Sequence, residues 1–369
     1  MGHNRAYARP ARGRVEGTSV YSAVAEPLKV EEESLSELVF VFGIMQRSGT
    51  NYLSDLLTLH EQCRGSRIYE DFLVANSELL ERYVDAVSKN WRREWFQFAI
   101  DEEVTEIAKA LGSGLEAFCG GAPTSHRYLV CKTPNSLNID HTFRFFPTAR
   151  VIVIVRDGRD LVESYIRSFS CPGSWETLVR EWCLSAQRIA AFLETSPARE
   201  RALLVRYEDL FSNTAVEIRR ILKFLRLKTA RYDFGKAASL PIRGSSVFGR
   251  QPGSAVSWQQ VPRTADFVPI GRFRDWSGRR LRRFSWLAGR ESAHLGYALE
   301  ISSGGTGSAA MQRLLDCAWR LREWGNSIRF LLKRALRSPQ ADFRDSWSSY
   351  YSRPTPPVLY RANDRRARV

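Results

Sequence analysis

The stretch Val39-Phe40-Val41-Phe42-Gly43-Ile44-Met45-Gln46-Arg47-Ser48-Gly49-Thr50-Asn51-Tyr52-Leu53 constrains the fold of this chain more than any other. An apolar, β-rich run ends at Gly43, a short polar turn follows with one cation and one glycine, and an apolar-periodic segment begins. This pattern predicts a strand, a phosphate-sized loop and a helix start. The first turn of a helix has N–H groups without intrahelical acceptors and sits at the positive end of a dipole, so it attracts anions. Arg47 adds a charge, Ser48 and Thr50 add hydroxyl donors, and Gly49 allows a ligand close to the backbone. A nucleoside-triphosphatase loop needs Gly, four residues, then Gly-Lys-Ser/Thr. Here the cation precedes the glycine and no lysine stands before Thr50, which argues against a Mg-ATP cradle. Taken alone, an ordinary turn ahead of a core helix would read the same way.

A second segment narrows the choice. Val151-Ile152-Val153-Ile154-Val155 is a continuous β-branched run, the pattern of a strand buried on both faces of a parallel sheet. It leads into Arg156-Asp157-Gly158-Arg159-Asp160 and a helical stretch from Leu161 to Ile166. Arg156 then stands at a strand's C-terminal end, where ligands of open α/β sheets bind. Ser164 follows eight residues later, about two helical turns on, and would face the same anion if the helix lies along the strand end. Surface ion pairs in an Arg/Asp-rich loop are the competing explanation.

Together these elements resemble the sulfotransferase superfamily that uses 3′-phosphoadenosine 5′-phosphosulfate (PAPS). Arg47-Ser48-Gly49-Thr50-Asn51 is similar to the family's 5′-phosphosulfate loop, in the Arg-Ser-Gly-Thr form of Golgi-type and many bacterial members. Arg156 and Ser164 resemble its 3′-phosphate pair, and Leu203 to Leu210 resembles the strand that ends in Tyr-Glu-Asp, which by resemblance places Tyr207 near the adenine. Pro241 to Ser246 and Ile270 to Trp276 also read like bacterial members. The resemblance runs from about Leu38 to Tyr297. It implies a P-loop-like parallel β-sheet flanked by helices on both faces, PAPS as the sulfuryl donor, and two anion sites at the ends of separate strands. It also implies that Lys132, in Leu129-Val130-Cys131-Lys132-Thr133, faces the transferring group, although a solvent-facing lysine at a strand end would fit equally.

The acceptor hydroxyl must lose a proton to a base within hydrogen-bond reach. Phenol- and steroid-type members carry a histidine just after the Lys-Thr pair, where this chain has Pro134. Golgi-type members use a glutamate after the first helix, which by resemblance points to Glu70 in Arg67-Ile68-Tyr69-Glu70-Asp71-Phe72. Asp71 is the next choice, then His60 and His141. Either acid would also serve as a cap or first-turn charge for a following helix. No carboxylate cluster has metal-ligand spacing, so no metal is expected.

The chain has 369 residues and a formal charge of +15, which suits a polyanionic ligand or an acidic surface, nucleic acid included. Six cysteines without a C-x-x-C pair suit a reduced, cytoplasmic chain. No apolar core follows the early arginines, so no signal peptide is expected, and no run is long enough to cross a bilayer. Residues 1–35 lack periodicity and are expected to be disordered. A catalytic domain over 36–301, a Ser/Gly linker over 302–309, a basic amphipathic helix over 310–337 and a loose tail over 338–369 complete the plan. That helix mixes Trp319 and Trp324 with many arginines. It reads as a helix docked on the domain with a solvated cationic face, or as a peripheral membrane contact. Gly112 to Pro123 reads as a flexible loop, and Trp91, Trp95, Phe96 and Phe98 as pocket lining or core, core being the expectation for most of them. Three classes remain: a sulfotransferase acting on a hydroxyl or amine of a small-molecule, carbohydrate or lipid acceptor; a P-loop nucleotide or small-molecule kinase; and a basic nucleic-acid or membrane-binding protein.

Overall fold

The computed structural model describes residues 37–96, 99–120, 125–169, 174–243, 260–264, 267–297, 299 and 306–335. Among these residues there are five strands, β1 (Glu37–Gly43), β2 (Cys63–Gly65), β3 (Tyr128–Thr133), β4 (Arg150–Val155) and β5 (Ala202–Arg206). The first helices are α1 (Thr50–Leu57), α2 (Glu78–Ser88), α3 (Ile100–Gly120), α4 (Thr142–Phe145), α5 (Gly158–Ser168) and α6 (Trp175–Leu193). They are followed by α7 (Ser196–Arg201), α8 (Tyr207–Ser212), α9 (Thr214–Phe224), α10 (Phe234–Ala238), α11 (Gly278–His294) and α12 (Thr306–Ala335).

The sheet order is β2-β3-β1-β4-β5, with all pairs parallel. β1 and β4 are central because both of their faces are apolar: Val39 to Phe42 and Val151 to Val155 are fully buried. Alternation along β1 feeds two cores. Phe40 and Phe42 pack with α3, α5, α6 and α11 on one face, while Val39 and Val41 pack with α1, α8 and α9 on the other. The C-terminal ends of β1, β3, β4 and β5 therefore share one edge, and each runs into a residue marked by the sequence: Arg47, Lys132, Arg156 and Tyr207.

Two expectations are corrected. Gly112 to Gly120 is not a loop but the second half of α3, and residues 121–123 lie outside the described ones. Gly112 is there for close packing: a Cβ at this position would come within 1.8 Å of the Phe145 carbonyl oxygen on α4. The glycine lets two helices touch rather than breaking one. Trp95 is 60% exposed, so core packing fails for it. Arg92 lies over its ring at 5.5 Å, and Trp91 and Phe96 pack on each other at 5.1 Å, while Phe98 is outside the described residues. Residues 1–35, 302–305 and 338–369 of the expected plan are also outside them. Residues 306–309, counted with the linker by their composition, form the first turn of α12.

Candidate active site

The loop from β1 to α1 wraps tightly because two residues take left-handed backbone angles, Arg47 at φ 76° and Gly49 at φ 101°. A left-handed arginine costs about 1–3 kcal/mol and persists only where its surroundings impose it, a frequent mark of a functional loop. Gly49 is required twice over. A Cβ there would sit 2.3 Å from Cδ2 of Tyr207, whose ring packs directly on the loop. We expect Gly49→Ala to destabilise the protein by about 2–5 kcal/mol, combining left-handed strain with overpacking. Chemical denaturation measures it, and an unchanged midpoint would contradict the packing described.

The N-terminus of α1 has no side-chain cap. Beside it, Ser48 is 1% exposed and its Oγ has no hydrogen-bond partner among the described residues. Gly43 leaves the room for this hydroxyl, since a Cβ there would meet Oγ at 2.4 Å. A buried orphan hydroxyl next to an uncapped helix start is a polar vacancy that an anionic oxygen would satisfy. The residues present thus fit a phosphate-like group.

Arg156, 4% exposed, donates from Nη1 to the Arg47 carbonyl at 2.8 Å and from Nη2 to the Pro269 carbonyl, and its guanidinium lies 4.6 Å above the Tyr207 ring. Ser164 on α5 is buried, and its Oγ receives Arg272 Nη1 at 3.2 Å and Arg47 Nε at 3.4 Å. Burial, then Arg156, then Arg272 lower the Arg47 pKa to about 10; burial, then Arg156, lowers that of Arg272 to about 10. Three cations are therefore held where they repel one another, a placement that an added anion relieves. The Arg47 side chain, expected at the first anion site, thus bonds Ser164, a residue expected at the second.

Arg272 lies in the Ile270–Trp276 stretch that the sequence marked, but was given no role there. Asp160, 1% exposed, holds it in place by accepting the N–H groups of Gly271 at 2.8 Å and Arg272 at 2.6 Å. The Arg-Asp-Gly-Arg-Asp segment is thus no exposed ion-pair loop. Its acids are structural: Asp157 caps α5 through the Arg159 N–H at 2.8 Å.

On the other side of α1, Lys132 is 2% exposed and is no solvent-facing lysine. Its Nζ donates to Asn51 Oδ1 and to Glu70 Oε1 at 3.4 Å, and lies 3.5 Å from the centroid of the Tyr69 ring. Burial lowers its pKa to about 8, against the opposing pull of Glu70. The two neighbouring acids part company here. Glu70 lines the cavity, whereas Asp71 is half-buried with Oδ1 accepting from the Leu73 N–H and the Thr133 hydroxyl. His60 is also structural, its Nδ1 accepting from the Gln62 N–H and its Nε2 bonded to the Lys228 carbonyl. His141 bonds Ser77 Oγ at 2.9 Å.

A cavity of about 270 Å³ joins these groups. Arg47, Gly49, Thr50, Asn51, Glu70, Arg156, Ser164 and Tyr207 line it; Ser48 and Lys132 are buried and are not among the lining residues. Phe211 packs on Tyr207 at 5.9 Å and Phe267 at 6.1 Å to give one part aromatic walls, Phe169 also lines the cavity, and Arg243, beside Asp55 at 3.8 Å, lies at the wall with Leu240, Pro241 and Ile242. Residues 244–246, which the sequence linked to this segment, lie outside the described ones. Among the described residues, no cluster of three His, Cys, Asp or Glu could hold a metal.

Fold and site define a P-loop-like α/β protein with an arginine-rich anion cradle at its strand ends. The sequence model of the Sulfotransferase family matches residues 39–231, just over half of the chain, and the protein belongs to that family. It is 26% identical over 200 residues to protein-tyrosine sulfotransferase 1 of Danio rerio, covering 52% of this chain and 53% of that protein. It is 27% identical over 198 residues to protein-tyrosine sulfotransferase 2 of Gallus gallus, covering 51% and 50%. The chain spans about half the length of the curated relatives it matches. Among solved structures, the sulfotransferase from Alicyclobacillus acidocaldarius is similar at 14% identity and a TM-score of 0.41, over 71% of this chain and 96% of that one.

Proposed function

We propose that this chain transfers a sulfuryl group from PAPS to an acceptor hydroxyl or amine. The observation that carries the proposal is the convergence of Arg47 and Arg272 on Ser164, with Arg156 bonded to the Arg47 carbonyl, beside a helix start that has no side-chain cap and a serine hydroxyl without a partner among the described residues. That arrangement suits a ligand with two anionic groups, and the aromatic part of the cavity suits its base. Family membership favours sulfuryl transfer over the kinase and the pure binding protein.

PAPS supplies an activated sulfuryl group on a phosphate leaving group. Ser48, Thr50, Arg47 and the first N–H groups of α1 would hold its 5′-phosphate side; Arg156, Ser164 and Arg272 would hold the 3′-phosphate. Charge grows on the bridging oxygen as the S–O bond to phosphate breaks, so fixed cations there lower the barrier. Lys132 would follow that charge, and Glu70 would take the acceptor proton as the new O–S bond forms. The curated relatives are named for protein tyrosine, which makes a phenolic hydroxyl the first acceptor to try.

The test is transfer of label from labelled PAPS to a panel of hydroxyl and amine acceptors, with calorimetry of adenosine 3′,5′-bisphosphate against adenosine 5′-monophosphate. Equal affinity for the two nucleotides would remove the 3′-phosphate assignment. The Lys132 charge sets a pH dependence. With a folded pKa near 8, the ammonium is present below that pH and lost above it, so kcat/KM should fall as pH rises through about 8. Lys132→Arg should move this limb upward; an unmoved limb would assign it to another group.

A further inference from the structure

α12 has two unlike sides. Its domain-facing side is Gln312, Asp316, Trp319 and Glu323, spaced to share one helix face. Arg283 bonds the Gln312 side chain at 3.0 Å and Asp316 at 2.8 Å, and Trp286 bonds Asp316 at 3.0 Å. Trp319 donates to Thr177 at 3.2 Å, Thr177 donates to Glu323 at 3.2 Å, and Arg180 pairs with Asp316 and covers the Trp319 ring at 4.1 Å. Both acidic residues of the helix are thereby turned inward, Asp316 onto Arg180 and Arg283 and Glu323 onto Thr177.

The opposite side is apolar and exposed. Leu314 is 65% exposed, Leu321 70%, Ile328 37% and Leu332 58%. Leu314, Leu321 and Ile328 are seven residues apart, so they form one stripe drifting about 20° per step. At about 100° per residue, Arg313 and Arg320 fall along one edge of that stripe, Arg322 and Arg329 along the other. All four are exposed, and exposed Trp324 sits on the first edge. An apolar strip between two rows of arginine, with a tryptophan at the border, matches a bilayer interface: leucines enter the acyl boundary and guanidinium groups reach the headgroups. No described helix is long and apolar enough to cross a membrane, so this one would lie in the surface. We infer that the outer face of α12 docks the protein on anionic lipid bilayers, a fit the +15 charge of the chain reinforces.

The test is co-sedimentation of the full chain with phosphatidylcholine vesicles, pure or containing about one-quarter phosphatidylserine. We expect at least about tenfold tighter binding to the anionic vesicles, weakening as salt is raised. Leu321→Glu with Ile328→Glu should cut that binding by about tenfold or more, with affinity for adenosine 3′,5′-bisphosphate unchanged, which shows the fold intact. Arg313→Gln with Arg322→Gln should cost about fivefold per arginine. Equal binding to both vesicle types, or full binding by the Leu321/Ile328 double variant, would overturn the inference. So would a lipid-free dimer that the same double variant dissociates, which would give the face to a second copy of this chain.

Discussion

Glu70→Gln is expected to lower kcat by roughly 10²–10⁴-fold while leaving affinity for adenosine 3′,5′-bisphosphate within about twofold of the parent. Glu70 is half-open to the cavity and 3.4 Å from the Lys132 ammonium, so it can meet an acceptor proton. The variant keeps the size and one acceptor oxygen of the side chain but removes the basicity. A second effect has a calculable sign. Glu70 is the largest influence raising the Lys132 pKa against burial. Without it the lysine loses its proton at lower pH, so the alkaline limb of kcat/KM should shift downward in the variant. Parental turnover in Glu70→Gln would transfer the base role elsewhere. A turnover loss without the shifted limb would break the coupling to Lys132. Asp71→Ala should instead reduce stability, since it removes the oxygen that accepts from the Thr133 hydroxyl and the Leu73 N–H.

Arg156→Ala is expected to weaken adenosine 3′,5′-bisphosphate binding by about 1.5–3 kcal/mol, roughly ten- to 150-fold, through loss of charge-assisted hydrogen bonds. The same guanidinium braces the β1–α1 loop and the Pro269 segment through their carbonyls, so its removal loosens both. Adenosine 5′-monophosphate separates the two contributions. Loss of the 3′-phosphate contact alone would leave its affinity unchanged, and loss of the brace would lower it too. Unchanged affinity for the bisphosphate, measured by calorimetry, would refute the assignment.

Much of this site was legible because its parts are local. The apolar run into Gly43, the turn through Gly49 and the start of α1 are one continuous stretch, and strand, loop and helix follow from hydrophobic period and glycine placement. The β-branched run of β4 identified a central strand for the same reason, and Arg156 inherits its position at that strand's end. Period also had a blind side. Three glycines in Gly112 to Gly120 suggested a loop, yet α3 continues through them, because helix contact with Phe145 rewards a missing side chain more than propensity penalises it.

What the sequence alone determined is therefore the set of short-range elements: a parallel α/β frame, a phosphate-type loop, and an arginine at a strand exit with a serine two turns on. Which groups meet was decided only by tertiary structure. Arg272 reaches Ser164 across 108 residues because Asp160 pins its backbone, Arg47 turns into the same cluster, and Glu70 rather than Asp71 faces the cavity. These are contacts between segments far apart in the chain. Their energies come from burial and from charges brought close in a low-dielectric interior, and neither exists until the sheet has assembled.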